Sequence, residues 1–192
     1  YPAIFNRKTI YLFTYNTLAV IMKNPFLKKI LQLTMMLISF NTFACDCYCD
    51  GDCSFSQITN ELEFVALVKV VEYSEYLDYE ISGYDNKMPF SMTVEIIKKY
   101  KGSESRKKIK IWGDDGAQCR PYISEFEVGE CYLIAPSPIL DDTRLGKKGD
   151  FDFFSCWTDY LIVDFDKGLA FGEYSKDKSE ISLKIFESEL KK

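Results

Sequence analysis

The sequence predicts a mainly β domain of about five main strands with short turns, in the proportions of a small closed or partly open barrel. Three observations carry that prediction. β-Branched and aromatic residues gather in short runs, several of which alternate apolar and polar with a period of two. Glycine, proline, asparagine and aspartate punctuate the gaps between the runs. All the runs fall within residues 45–192, a length that suits one domain with a real core.

The elements follow in order. Residues 63–73 (EFVALVKVVEY) are a strongly β-branched apolar run, followed by a Tyr-rich polar stretch to Tyr84 and a turn-like Gly83–Lys87. Residues 89–100 (PFSMTVEIIKKY) read as the return strand, with Phe90, Met92, Val94 and Ile96 on one face. Lys101-Gly102-Ser103 breaks it, and Lys107–Trp112 alternates again through Ile109 and Ile111. Residues 113–121 are a polar loop carrying Cys119. Val128-Gly129-Glu130 leads into Cys131–Ala135, which Pro136 ends. The Pro/Asp/Gly/Lys-rich stretch 136–150 is expected to be the most mobile loop. Residues 151–163 restore the aromatics and carry Cys156; 164–167 form a turn, and Leu169–Phe171 a short strand. The tail from Ser179 to Lys192 is expected to be a helix capped by Ser179, although Ile181–Ile185 also alternates like a strand. Neither an internal repeat nor a low-complexity segment is present.

Upstream, residues 22–44 read as an export signal. Met22 is a candidate start, and Lys23, Lys28 and Lys29 make a positive n-region. Ile30–Phe40 is an apolar h-region, and Thr42 and Ala44 place small residues at the −3 and −1 positions. The apolar run falls short of the roughly 20 residues that span a bilayer. Cleavage after Ala44 makes Cys45 the first residue of the exported chain. Residues 1–21 are read as an upstream extension outside the fold. An alternative is a cell-surface or outer-membrane lipoprotein acylated on Cys45. Lipoprotein signals favour Leu at −3 and a small residue at −2, where this chain has Thr42 and Phe43. The cysteine count pulls the other way: seven leave one unpaired, and an acylated Cys45 leaves six.

Residues 45–192 carry all 29 acidic residues and 19 of the 24 basic ones, a net charge of −10. Such a surface repels phosphate backbones, so no nucleic-acid partner is expected. Histidine is absent, which removes Ser-His-Asp and Cys-His nucleophiles and the commonest catalytic-zinc ligand. Gly-rich phosphate loops are absent too. No enzyme activity and no cofactor are expected, and the abundant carboxylates read as a solvated surface.

Residues 44–53, ACDCYCDGDC, hold four of the seven cysteines and Asp46, Asp50 and Asp52. Reduced, they have the donors for zinc or copper(I). The Cys-x-Cys-x-Cys-x-x-x-Cys spacing is not a standard tetrahedral zinc pattern, however, and exported thiols oxidise. Disulfide anchors are therefore expected, with no metal site of the chain's own. There is no Cys-x-x-Cys to suggest redox chemistry.

The ordered set of features resembles the netrin-like module, and within it the N-terminal domain of tissue inhibitors of metalloproteinases and its bacterial relatives. The set comprises Cys45-Asp46-Cys47, the Val-rich strand Phe64–Val70, Tyr100-Lys101-Gly102 after the second strand and Trp112 ending the third. Cys119, then Phe126-x-x-Gly129-x-x-Tyr132-Leu133, and Cys156 before a short apolar strand complete it. The resemblance spans roughly residues 45–163. It implies a five-stranded OB-like β-barrel with flanking helix, stapled by disulfides. It also implies the pairs Cys45–Cys119 and Cys47–Cys156. Cys49, Cys53 and Cys131 depart from the pattern and leave an added pair open, Cys53–Cys131 or Cys49–Cys131.

The resemblance also implies a role. In those inhibitors the α-amino nitrogen and carbonyl oxygen of the leading cysteine chelate a protease's zinc, and the disulfide keeps that wedge rigid. An α-amino group with a pKa near 8 gives up its proton to zinc at neutral pH. Cys45, Asp46 and Cys47 are thus the expected partner-binding residues, with Cys45 placed to bind a partner's zinc. Asp46 works against tight inhibition, because a carboxylate facing the protease's catalytic glutamate loses hydration and meets like charge. The expectation is an exported protein-binding module, secreted or periplasmic, with a zinc metalloendopeptidase as candidate partner. Membrane contact is expected only if Cys45 is acylated.

Overall fold

The structure is a computed structural model, and it describes residues 25, 26, 28–30, 33, 45, 47, 49, 51–79 and 87–190. The chain divides into two compact units, 1–44 and 45–192. In the first, residues 25, 26, 28–30 and 33 are helical. The readings of 1–21 as an extension and 22–44 as an export signal otherwise lie outside the described residues. Among the described residues, no helix is long and apolar enough to cross a membrane.

The second unit is mainly β, as expected. It runs α1 (Phe55–Glu61), β1 (Val65–Tyr76), β2 (Pro89–Lys101), β3 (Lys108–Trp112) and a one-turn 3-10 helix (Ile123–Glu125). It continues through β4 (Cys131–Ile134), β5 (Ser137–Pro138), β6 (Phe151–Asp152), β7 (Tyr160–Asp164), β8 (Leu169–Ser175), β9 (Lys178–Ser182) and α2 (Leu183–Leu190). Among the described residues the strands form one nine-stranded sheet in the order β5-β6-β3-β2-β1-β4-β7-β8-β9. Every pairing is antiparallel except β3·β6. Edge strand β5 follows β4 after only Ala135 and Pro136. A path from β4 through β1, β2, β3 and β6 therefore returns to the same stretch of chain.

Nine strands replace the expected five or so. β5 and β6 are two residues each, too short to show a period, and β9 lies in the tail expected to be helical. There, pairing with β8 buries Ile181 and holds Ser179 in a strand, so the helix begins only at Leu183. Long-range pairing has overridden a local capping preference. The 136–150 stretch is not wholly irregular either. It contains β5 and an isolated bridge between Thr143 and Gly146.

The opening of β1 reads as a continuous apolar run because both of its faces are buried. Ala66, Val68 and Val70 face an inner cluster with Met92, Val94, Ile109, Ile111, Tyr132, Ile134 and Phe153. Val65 and Leu67 face an outer cluster with Leu133, Ala135, Leu161 and Val163, covered by Phe55 and Ile58 of α1 and Phe186 of α2. Each large side chain so buried contributes roughly 1.5–3 kcal/mol. A third cluster of Leu77, Met88, Phe90 and Trp112 closes the far end of β1 and β2. There the Trp112 indole donates to Asp150 Oδ2 at 2.9 Å. Gly102, just past β2, has a φ of +96°, and a β-carbon there would stand 2.6 Å from the Glu63 carbonyl oxygen. Only glycine fits both the turn and that close approach.

Candidate functional site

Three segments meet at one end of the domain: the cysteine-led stretch, the loop after β3, and the loop between β6 and β7. Cys45 is bonded to Cys119 with Cα atoms 5.7 Å apart, and Cys47 to Cys156 at 5.2 Å. Cys45 and Cys47 are both exposed. Asp46, the third expected contact residue, lies outside the described residues, as does Asp50.

Asp114, at the base of the β3 loop, organises the turn that presents Cys119. Its Oδ1 accepts the backbone N–H of Gly116, and its Oδ2 accepts that of Arg120 at 2.9 Å. Cys119 sits at a φ of +56°, in the left-handed region that costs a side-chain-bearing residue about 1–2 kcal/mol. The Asp114 bonds and the disulfide hold it there. The two loops are tied directly, because Ser155 donates its N–H to the Cys119 carbonyl at 2.8 Å. Thr158 donates likewise to the Cys53 carbonyl at 2.9 Å. Before α1, Asp52 Oδ1 accepts the Ser54 N–H at 3.0 Å, and hydrogen bonds from Ser54 lower the Asp52 pKa.

The added pair is neither Cys53–Cys131 nor Cys49–Cys131. Cys49 bonds Cys53, with Cα atoms 5.7 Å apart, and Cys131 is free. The sheet explains why. Cys53 is tied to Thr158, just before β7, whereas Cys131 pairs with Val163 near the other end of that strand. The three steps from Tyr160 to Val163 alone span about 10 Å, beyond the roughly 7 Å Cα reach of a disulfide. Burial raises the pKa of the Cys131 thiol, with Lys69 opposing. With the other six sulfurs bonded to one another, the thiolate cage raised as an alternative has no ligand set among them.

Beside the two long-range bridges lies a cavity of about 340 Å³ that the sequence did not signal. Arg120, next to Cys119, and Ser155 and Trp157, on either side of Cys156, line it together with Tyr122, Glu125, Phe154, Asp159 and Tyr160. Arg120 pairs with Asp152 Oδ2 at 2.5 Å and donates to the Leu145 carbonyl at 2.6 Å. Burial raises the Asp152 pKa, with Arg120 opposing. Tyr160 donates to Glu125 Oε2 at 3.4 Å, and burial, with the Glu125 charge second, pushes its hydroxyl up to about 12.

Asp159 is 1% exposed. Its Oδ2 accepts the Phe154 N–H at 2.6 Å, while Oδ1 has no hydrogen-bond partner among the described residues. Burial holds its pKa well above the ordinary 3.8 of a carboxyl side chain, with the Phe154 N–H opposing. A raised folded-state value means the unfolded chain gives up this proton first as pH rises. The stability this group contributes is full below the unfolded value and is lost as pH climbs through the folded one. Asp159→Asn keeps an acceptor for Phe154 and removes the ionisation. The unfolding midpoint of the variant should therefore gain on that of the wild type between about pH 4 and pH 7. Midpoints measured across that range check this, and parallel curves would refute it.

No protein-family model matches the chain, and no curated protein matches it. Fold and bonds alone define its class, a small, mainly β domain held by three disulfides. Such bonds point to an oxidising compartment, extracellular or periplasmic.

Proposed function

We propose that residues 45–192 are an exported protein-binding module of netrin-like type, and that the cysteine-led end is its contact surface. The observation that carries this is the double anchoring of that end. Exposed Cys45 and Cys47 are bonded to loops 74 and 109 residues away. A surface held this way loses little conformational entropy on binding.

The strand connectivity supports the OB-like reading. β1, β2 and β3 form a meander, β1 pairs with β4, β3 pairs in parallel with β6, and β5, the continuation of β4, pairs with β6. On this reading β7–β9 and α2 are additions to a five-stranded barrel. The bond to Cys119 uses the Cys45 sulfur that an acyl chain would need, which favours the unacylated form over the lipoprotein alternative.

Within this reading, the free amine of Cys45 binds the zinc of a metalloendopeptidase and inhibits it. The test compares two oxidised forms, one beginning at Cys45 and one retaining Ala44. The first should slow a zinc endopeptidase, and the second should be at least tenfold weaker, because its leading amine is buried in a peptide bond. Equal potency would rule out the N-terminal mechanism. Inhibition by neither form would leave the module without this activity.

A further inference from the structure

We propose that the cavity beside the disulfide-anchored end receives an alkylammonium group, the charged end of a lysine side chain or of a free aliphatic diamine. The proposal rests on the cavity itself and stands whether or not the domain inhibits a protease.

Four features of the lining select this chemistry. The first is an unused acceptor. Asp159 lines the cavity at 1% exposure, and its Oδ1 has no partner among the described residues. A buried oxygen left unbonded is destabilising, and an N–H donor relieves that cost. The second is aromatic: Tyr122, Phe154, Trp157 and Tyr160 contribute to the walls, with Phe154 and Trp157 meeting edge to face at 5.1 Å. Ring faces attract cations, most strongly where water is excluded.

The third is charge. Glu125 adds a second carboxyl group, and among the described residues the one basic group in the lining, Arg120, is already committed to Asp152 and the Leu145 carbonyl. A carboxylate ligand would face the Glu125 charge and, among the described lining residues, no free cation. The fourth is size. About 340 Å³ lies at the small end of ligand pockets and has room for a four- or five-carbon chain.

Proton linkage gives a signature that mere filling of the cavity would not. The Phe154 N–H, the backbone N–H of Asp159 itself and the Asp152 charge act on the Asp159 carboxyl, and Arg120, Glu125 and Tyr160 line the same cavity. Burial favours the protonated Asp159 carboxyl in the empty site. An entering ammonium favours the carboxylate, so binding releases a proton.

The oxidised full chain is titrated by calorimetry with 1,5-diaminopentane, with Nα-acetyl-lysine amide, and with n-pentanol as a neutral match. Repeating the amine titrations in two buffers of different ionisation enthalpy reads out the proton. At least one amine should bind, with proton release, and pentanol should bind at least tenfold more weakly. Asp159→Asn should weaken amine binding tenfold or more, and Glu125→Gln several-fold. A tighter lysine amide identifies a protein partner's lysine as the ligand, and a tighter diamine the free base. Equal binding of amine and alcohol would overturn the proposal. So would unchanged binding to Asp159→Asn, or no heat from either amine up to about 10 mM. Should Asp159→Asn fail to fold, the preference of the wild type for amine over pentanol, and its weakening in Glu125→Gln, decide the matter.

Discussion

Replacing Cys47 and Cys156 together by serine should lower the unfolding free energy by about 4 kcal/mol. The two long-range bridges share one leading segment, so they are not independent. Alone, they close loops of 74 and 109 residues, worth about 4–5 kcal/mol each in a chain-entropy account. With either one intact, the other closes a loop of only about 40 residues, running through the surviving bridge and the chain between Cys119 and Cys156. Either double-serine variant should therefore lose about 4 kcal/mol, and the variant lacking both bridges about 8–9 kcal/mol, enough to unfold a typical domain. Cys49–Cys53, with a separation of 4, should be worth only about 2 kcal/mol. Urea unfolding of the three paired variants tests the ranking. A loss under about 1 kcal/mol for either long-range pair would mean the chain-entropy account fails here. The consequence reaches the contact surface, because without its bridges the segment carrying Cys45 and Cys47 loses its covalent ties to the loops.

The parts of this fold that could be read from residues are those with a period or a composition of their own. β1, β2 and β3 announce themselves through β-branched runs and alternation, and their observed ends lie within a few residues of those expected. β5 and β6 carry no such signal, since two paired residues exist only because distant strands are there to receive them. α1 was missed for a related reason. Its seven residues bury Phe55, Ile58 and Thr59, too short a stripe to establish a helical period. In the tail the local signals for strand and helix overlapped, and the chain uses both in succession.

The cysteine-led end was legible as chemistry but not as geometry. Spacing points to anchors, and the resemblance implies two long-range pairs, but the pair left open between Cys131 and either Cys53 or Cys49 does not form, because Cys49 and Cys53 bond each other. The cavity was not legible at all. Asp159 is one of 29 acidic residues, and nothing nearby marks it as the one that packing would strip of water. That distinction comes from Phe153 and Tyr160 packing against Phe126, a neighbour more than 25 positions away.

Truncation of Phe126 itself has a large expected effect. Phe126 is fully buried, and its ring meets Tyr160 at 4.6 Å, Tyr132 at 5.2 Å and Phe153 at 5.4 Å between centroids. Its carbonyl accepts the Tyr73 hydroxyl at 2.7 Å, tying the turn after the 3-10 helix to β1. Phe126→Ala should cost about 4 kcal/mol, within the 3–5 kcal/mol range for such truncations. The upper half of that range applies because the three facing rings belong to different segments and cannot close the void together without moving β4 and β7. Phe126→Leu, which keeps most of the volume, should cost about 1–2 kcal/mol. The void also opens behind Tyr160, which lines the cavity. In Phe126→Ala, amine binding should therefore weaken at temperatures where the domain remains folded, while in Phe126→Leu it should survive. Urea unfolding gives the stability loss, and calorimetry on the folded variants gives the binding. A cost under about 2 kcal/mol for Phe126→Ala would show that the aromatic cluster can collapse around the gap, and that its packing does not position the cavity wall.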